Sequence, residues 1–210
     1  MAGQFITLEG PDGSGKSTII KLLGEYLEEK GIDFIMTREP GGTPIGEEIR
    51  DIILDNKNTN MGPETEALLY AASRGQHVHE KIIPALEKDK LVLCDRFVLS
   101  SLAYQGVGRQ LGIKEVKMIN DFALKGIYPD LILFFHIDPE ITLRRKTKKL
   151  GGDRLEKEGN EFHNRVYNGY MELLKMYPKN IKVIDATKPI KEVLNQSIKE
   201  IEKLLISKEG

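Results

Sequence analysis

Residues Phe5 to Thr18 read FITLEGPDGSGKST: a short apolar run from Phe5 to Leu8, a glycine-rich turn, then Gly15-Lys16-Ser17-Thr18 opening an amphipathic segment. Gly10 to Ser17 fits G-x-x-x-x-G-K-[ST], the P-loop pattern. The spacing has a physical reason. Glycines at 10, 13 and 15 let successive backbone N–H groups converge on phosphate oxygens without Cβ clashes. The helix that follows points its N-terminal donors and the positive end of its dipole at the same anion. Lys16 places a point charge on the β- and γ-phosphates, and Ser17 offers its hydroxyl to Mg²⁺. With glycine at its usual frequency, a chance match over such a length is expected only about 1% of the time. A strand-like run precedes the motif and a helical pattern follows it, so the stretch reads as a nucleotide-phosphate site.

Outward from the P-loop, Ile19, Ile20, Leu22, Leu23, Tyr26 and Leu27 recur at helical spacing up to Gly31. Asp33 to Thr37 reads as a second strand. It runs into the turn Arg38-Glu39-Pro40-Gly41-Gly42, where Pro40 keeps Glu39 out of the α region. Ile45 to Leu54 is helical by period and carries Arg50, and 56–62 is a polar loop. Pro63 opens a long helical stretch to about Leu86, interrupted near Pro84. Leu91 to Cys94 is a third strand ending in Asp95-Arg96, and Ser100 to Gly106 continues into a helix with a glycine-punctuated end at Gly112. Ile113 to Leu124 is a further helix, and Leu131 to Ile137 the fourth strand. Asp138-Pro139-Glu140 is a helix start, with a cap, a proline at the first position and an acid in the first turn. That helix leads into a basic, glycine-broken segment from Arg144 to Arg154. Asn160 to Met176, Ile181 to Ile184 and Ile190 to Leu205 then read as helix, strand and helix.

Strands apolar on both faces and alternating with helices predict an α/β fold, a parallel five-stranded sheet with helices on both faces. Ligands bind such sheets at the carboxyl ends of the strands. Gly10 to Ser17, Arg38, Asp95-Arg96 and Asp185 all fall at such ends.

Bulk properties narrow the partners. Lys and Arg total 31 against 32 Asp and Glu in 210 residues, a net charge of −1 that argues against a general nucleic-acid or anionic-membrane binder. The length suits one domain, 1–210. The start MAGQFITLEG lacks the basic and long apolar regions of a signal peptide, and the longest apolar run, Leu131 to Ile137, is too short to span a bilayer. The one cysteine, Cys94, sits in an apolar run and reads as a buried structural thiol. His77, His79, His136 and His163 form no metal-like constellation. The expected setting is the cytoplasm.

Among P-loop chemistries, a GTPase would carry Asn-Lys-x-Asp after a strand, but the nearest match, Asn56-Lys57-Asn58-Thr59, lacks the aspartate. The Ser-Gly-Gly-Gln signature of a transporter ATPase is also missing. A small kinase needs a site for an anionic acceptor and a cover that excludes water, and the many arginines and the basic glycine-broken segment fit both needs.

Beyond the P-loop, several stretches carry a specific resemblance: Thr37 to Thr43 (TREPGGT), Glu48-Ile49-Arg50, Leu69 to Arg74 (LYAASR), Asp95-Arg96-Phe97, Ser100 to Gly106 (SSLAYQG), Tyr128 to Leu131 (YPDL) and Asp153 to Glu156 (DRLE). Together they resemble bacterial thymidylate kinases over almost the whole chain. The resemblance implies the P-loop nucleoside-monophosphate kinase fold, transfer of the ATP γ-phosphate to dTMP to give dTDP with Mg²⁺, a homodimer, and a lid at about 144–157. Competing readings are another nucleoside or nucleoside-monophosphate kinase, and a P-loop module that binds nucleotide without transfer. Tyr70, Arg74, Ser101 and Gln105, which the resemblance places at a pyrimidine, speak against the first of these, and intact Lys16, Ser17, Asp95 and the arginines Arg50 and Arg96 against the second.

The resemblance assigns ATP to Gly10, Pro11, Asp12, Gly13, Ser14, Gly15, Lys16, Ser17 and Thr18, with Arg145 and Thr187 flanking the adenine. It assigns dTMP to Asp12, Arg38, Arg50, Tyr70, Arg74, Arg96, Ser100, Ser101, Tyr104 and Gln105. Within that set Arg74 reaches the pyrimidine edge, Tyr70 stacks on the thymine, and Ser101 and Gln105 contact its polar edge. Tyr104 crowds the sugar 2′ position, and Asp12 matches a carboxylate at the 3′-hydroxyl. Arg50 and Arg96 suit a bidentate grip on the acceptor phosphate, and Asp95 with Ser17 is placed for Mg²⁺. From the residues alone, Arg50 also reads as a surface arginine, Tyr70 as core, and Arg38 as an ion-pair partner near the Glu39-Pro40 turn. Gly13 stands where one branch of the family has an arginine, so a cation must come from the lid's Arg144, Arg145, Arg154 or Lys146, Lys148 and Lys149. Arg154 is the first choice, giving Lys16, Asp12, Arg96 and Arg154 as the catalytic set.

Overall fold

The computed structural model describes residues 3–138, 141–142 and 152–206. Five parallel strands, β1 (Gln4–Glu9), β2 (Phe34–Arg38), β3 (Leu91–Asp95), β4 (Leu131–His136) and β5 (Ile181–Asp185), lie in the order β2-β3-β1-β4-β5. Each ends within one residue of where the apolar runs placed it. The reason shows in the burial. Successive residues of a strand face opposite sides of the sheet, and here both sides are dry. Phe5, Val92, Cys94 and Phe134 enter one core, while Ile6, Leu8, Leu93, Leu133 and Phe135 enter the other.

The described helices are α1 (Lys16–Glu29), α2 (Pro44–Leu54), α3 (Pro63–His77), α4 (Ile83–Leu86), α5 (Val98–Ser101), α6 (Ile113–Leu124), α7 (Asn160–Met176) and α8 (Ile190–Ile206). Ile19, Leu23 and Leu27 of α1 and Val193 and Ile201 of α8 close the second core. Val116 and Leu124 of α6 and Phe162, Val166 and Tyr170 of α7 close the first. Thr43 caps α2 by accepting from the Gly46 N–H at 3.1 Å, with Pro44 at the first helical position.

Two stretches expected as plain helix are wider. Val78–Ile82, between α3 and α4, and Leu102–Gly108, after α5, are π-helical. The second is held by packing that no local pattern reveals. A Cβ on Gly108 would meet Val166 Cγ2 at 2.7 Å, and one on Gly169 would meet Val107 Cβ at 2.8 Å, so each glycine makes room for a valine side chain of the other element. The helix start at 138–140 lies mostly outside the described residues.

Register positions the site. Leu8 pairs with Asp95, and Asp95 with Arg38, so the P-loop, Asp95 and Arg38 leave the sheet in one row. The connections from the neighbouring strands β1 and β3 depart in opposite directions, the crevice where α/β sheets bind ligands.

Candidate active site

The P-loop folds as its glycines require. Gly10, Gly13 and Gly15 have φ of 138°, 82° and 92°, which L side chains rarely adopt, and Gly15 caps α1. Lys16 Nζ donates to the carbonyls of Gly10 and Pro11, both at 2.9 Å, and to Ser14 Oγ at 3.3 Å. Burial, and next the Arg96 charge, push its pKa down from 10.5 to about 8. A cation held this way gains most when an anion joins it.

Beside the loop is a cleft of about 250 Å³. Asp12, Arg38, Arg50, Tyr70, Arg74, Arg96, Ser100, Ser101, Tyr104 and Gln105 all line it, so the residues expected at the acceptor are brought together from the P-loop, the ends of β2 and β3, α2, α3, α5 and the π-helical turn. Arg96 occupies the centre with a φ of 69°, an uncommon conformation for a non-glycine residue, and its guanidinium lies 5.3 Å from the Tyr104 ring centroid. It donates to Ser100 Oγ at 3.0 Å, to Tyr170 Oη at 3.2 Å and to an Asp12 carboxylate oxygen. Tyr104 Oη donates to the other Asp12 oxygen at 2.8 Å. Arg38 and Arg50 both donate to the Pro40 carbonyl, at 2.8 and 2.9 Å. Burial first, then the nearby Arg38 charge, hold the Arg50 pKa below its usual value. Two guanidiniums crowded on one carbonyl make a site that an anion would relieve. Arg38 also pairs with Glu47 at 2.7 Å, the ion-pair reading left open by the sequence.

Arg74 is almost wholly buried. Its Nε donates to Glu39 at 2.7 Å, its Nη1 donates to Ser101 Oγ at 3.0 Å and to Asn120 Oδ1, and its guanidinium lies over Phe97. His77 links Glu39 at 2.9 Å to Thr37 at 2.7 Å, a buried bridge between the Glu39 turn and β2. Tyr70 is half-buried, lining the cleft while its ring packs against the core. Ser17 Oγ donates to Asp95 Oδ2 at 3.3 Å, and Asp95 Oδ1 is buried without a hydrogen bond among the described residues. One carboxylate and one hydroxyl beside a phosphate site is the donor set Mg²⁺ takes, since it completes its shell with water and phosphate.

One expected residue lies away from the P-loop in this structure. Arg154, expected to reach the transferring group, is buried against α2 and α3: Nη2 donates to Glu66 at 2.7 Å and Nε to the Ile53 carbonyl at 2.9 Å. Glu66 has no exposed surface, so its charge demands buried cations, and Arg154 answers that demand instead of facing the P-loop. Arg144, Arg145, Lys146, Lys148 and Lys149 lie outside the described residues. Thr187 sits beyond β5, outside the cleft, donating to Asp185 Oδ1 through N (3.0 Å) and Oγ1 (2.6 Å).

The model of one protein family, thymidylate kinase, matches residues 8–198. The thymidylate kinase of Finegoldia magna is 60% identical over 199 residues, covering 95% of this chain and 98% of that protein. That of Clostridium novyi is 52% identical over 196 residues, covering 92% and 96%. The chain belongs to the thymidylate kinase family. The crystal structure of thymidylate kinase from Ehrlichia chaffeensis superposes with a TM-score of 0.80 at 32% identity, over 96% of this chain and 100% of that one. This thymidylate kinase therefore has the P-loop nucleoside-monophosphate kinase fold and phosphorylates dTMP to dTDP with ATP.

Four acidic or phenolic residues went unassigned in the sequence: Glu9, Glu39, Glu66 and Tyr170. Glu9 is fully buried, accepting from Phe97 N at 2.8 Å and from Ser100 Oγ at 2.5 Å. Burial raises its pKa from 4.5 to about 7, against the pull of Ser100, Arg96 and Phe97. A charge ending an apolar strand was the available signal. Glu39 and Glu66 find their cations 35 or more residues away, which no local spacing exposes.

Proposed function

We infer that this thymidylate kinase works by holding two polyanions against each other, with the donor on the P-loop and dTMP in the cleft beside it. The observation that carries this reading is the convergence of Arg38, Arg50, Arg96, Tyr70 and Gln105 on one cleft whose wall includes Asp12 and Ser17 of the P-loop. The nucleophile, a phosphate oxygen of dTMP, is already anionic near neutral pH, so positioning and charge do most of the work. Arg50 and Arg96 grip the acceptor phosphate, Arg96 being held by Asp12 and Ser100. Asp12 and Tyr104, joined by their hydrogen bond, bound the sugar. Tyr70 offers a ring face to the thymine, and Arg74, Ser101 and Gln105 its polar edge. Lys16, with the P-loop N–H groups, neutralises the donor phosphates. Asp95 and Ser17 would hold Mg²⁺, which when bound supplies charge neutralisation at the donor oxygens.

The enzyme acts as a homodimer. The neighbouring helices α2, α3 and α6 turn Ile52, Leu68, Met118 and Phe122 to solvent, and Phe122 is 89% exposed. Such a surface suits burial against a second copy. Its expected setting is the cytoplasm, where an unpaired Cys94 stays reduced. A coupled assay of ADP release with dTMP, dUMP, dCMP and dGMP tests the reading. Turnover is expected to be highest with dTMP; equal turnover of all four would overturn the assignment of the cleft to a pyrimidine edge.

A further inference from the structure

Glu66 of α3 is a buried carboxylate with more donors around it than an ion pair needs. Its Oε1 accepts from Gln105 Nε2 at 2.9 Å and Arg109 Nε at 3.1 Å; its Oε2 accepts from Arg109 Nη2 at 2.9 Å and Arg154 Nη2 at 2.7 Å. Burial alone would raise its pKa, but Arg109, Gln105 and Arg154 outweigh it and hold the pKa below the ordinary value, so it stays ionised. An ionised carboxylate only accepts hydrogen bonds. The amide of Gln105 must therefore turn its NH₂ toward Glu66, whichever way the two amide atoms are assigned. That leaves Gln105 Oε1, a buried atom with no hydrogen bond among the described residues, on a side chain that lines the cleft.

We propose that Glu66 is a positioning residue that locks the Gln105 amide with its oxygen toward the base, so that the cleft selects a pyrimidine carrying a hydrogen on N3. Thymine meets that oxygen with an N3–H donor. Cytosine presents an N3 lone pair there, and two acceptors facing each other in a buried site repel. The orientation of one amide thus becomes a specificity element, set by a residue that need not touch the substrate. Arg109 and Arg154 serve it by keeping Glu66 charged, and Arg109 is itself fixed by Glu158 at 2.6 Å and by the Phe162 ring. Sites built around a hydrogen bond reject the mismatched partner far more strongly than apolar pockets reject a size change.

The inference rests on the reading that the cleft holds dTMP, and the test separates the two. Steady-state kinetics are compared for dTMP and 5-methyl-dCMP, which share size and methyl group and differ at positions 3 and 4. Wild-type discrimination between the two checks the underlying reading; an equal kcat/KM for both would remove the pyrimidine site and with it the role given to Glu66, whereas discrimination unmoved in the Glu66 variants would remove that role alone. In Glu66→Gln, the new amide can donate to Gln105 and turn it over. The dTMP to 5-methyl-dCMP ratio of kcat/KM is expected to fall roughly tenfold or more, through KM for dTMP, with KM for ATP little changed. Should Glu66→Gln not fold, Glu66→Asp keeps a negative charge among the arginines but shortens its reach to Gln105, and a fall in the same direction is expected. Placed in a Gln105→Leu background, Glu66→Asp should change the ratio no further. An unchanged ratio in the Glu66 variant, or an equal fall in the Gln105→Leu background, would overturn the proposal and leave Glu66 a purely structural ion-pair partner.

Discussion

Glu9, just before the P-loop, and Lys16, within it, are both buried, with pKa values driven toward each other from opposite ends of the scale, to about 7 and about 8. For Glu9 the sign of the linkage is unusual for a carboxylate. Its folded pKa lies above the unfolded 4.5, so folding takes up a proton between the two values. Its contribution to stability therefore falls as pH rises from 4.5 toward about 7, and the loss is complete above the folded value. Glu9→Gln keeps an acceptor for Phe97 N–H and removes the titration. The expectation is that wild type loses more Tm than Glu9→Gln on going from pH 5 to pH 8, by thermal melts at both. Parallel melting curves would mean that the Phe97 and Ser100 donors and Arg96 keep Glu9 ionised throughout.

At the scale of elements, strands were legible because period and burial coincide: each carries apolar residues to both cores, and little else in the chain does. The P-loop was legible because its spacing is a backbone requirement that glycines meet locally. The π-helical turn after α5 was not, since it packs through Gly108 against Val166 and through Val107 against Gly169, contacts that no local pattern exposes. The partners of Glu39 and Glu66 were hidden for the same reason, being chosen by tertiary packing. Arg154 shows the consequence. Its sequence context read as a mobile catalytic cation, while the fold uses it as a buried counter-charge beside α2 and α3. Arg154→Ala should accordingly cost stability, about 2 kcal/mol with Arg109 still present on Glu66, or about 4–8 °C in Tm for a chain this size. Calorimetric melts together with kinetics check this. A large fall in kcat at unchanged Tm would return Arg154 to the transferring phosphoryl group.

For the whole molecule, the sheet order brings the cleft arginines and the P-loop to one edge, while α2 and α3 carry cleft residues and, with α6, the exposed apolar surface. Dimerisation through those helices would thus brace Arg50, Tyr70 and Arg74 from behind. Phe122→Asp is expected to yield monomer by sedimentation and to raise KM for dTMP more than KM for ATP. A variant that stays dimeric would move the interface elsewhere. The central claim is that donor and acceptor phosphates occupy adjoining but separate sites, bridged by Asp12 and Arg96. Lys16→Ala addresses it most directly, with turnover and dTMP affinity measured on the same preparation. The expected result is a loss of turnover of about 10³-fold with the dTMP Kd changed by no more than about threefold. Near-normal turnover, or a dTMP affinity that falls in step with the rate, would contradict it.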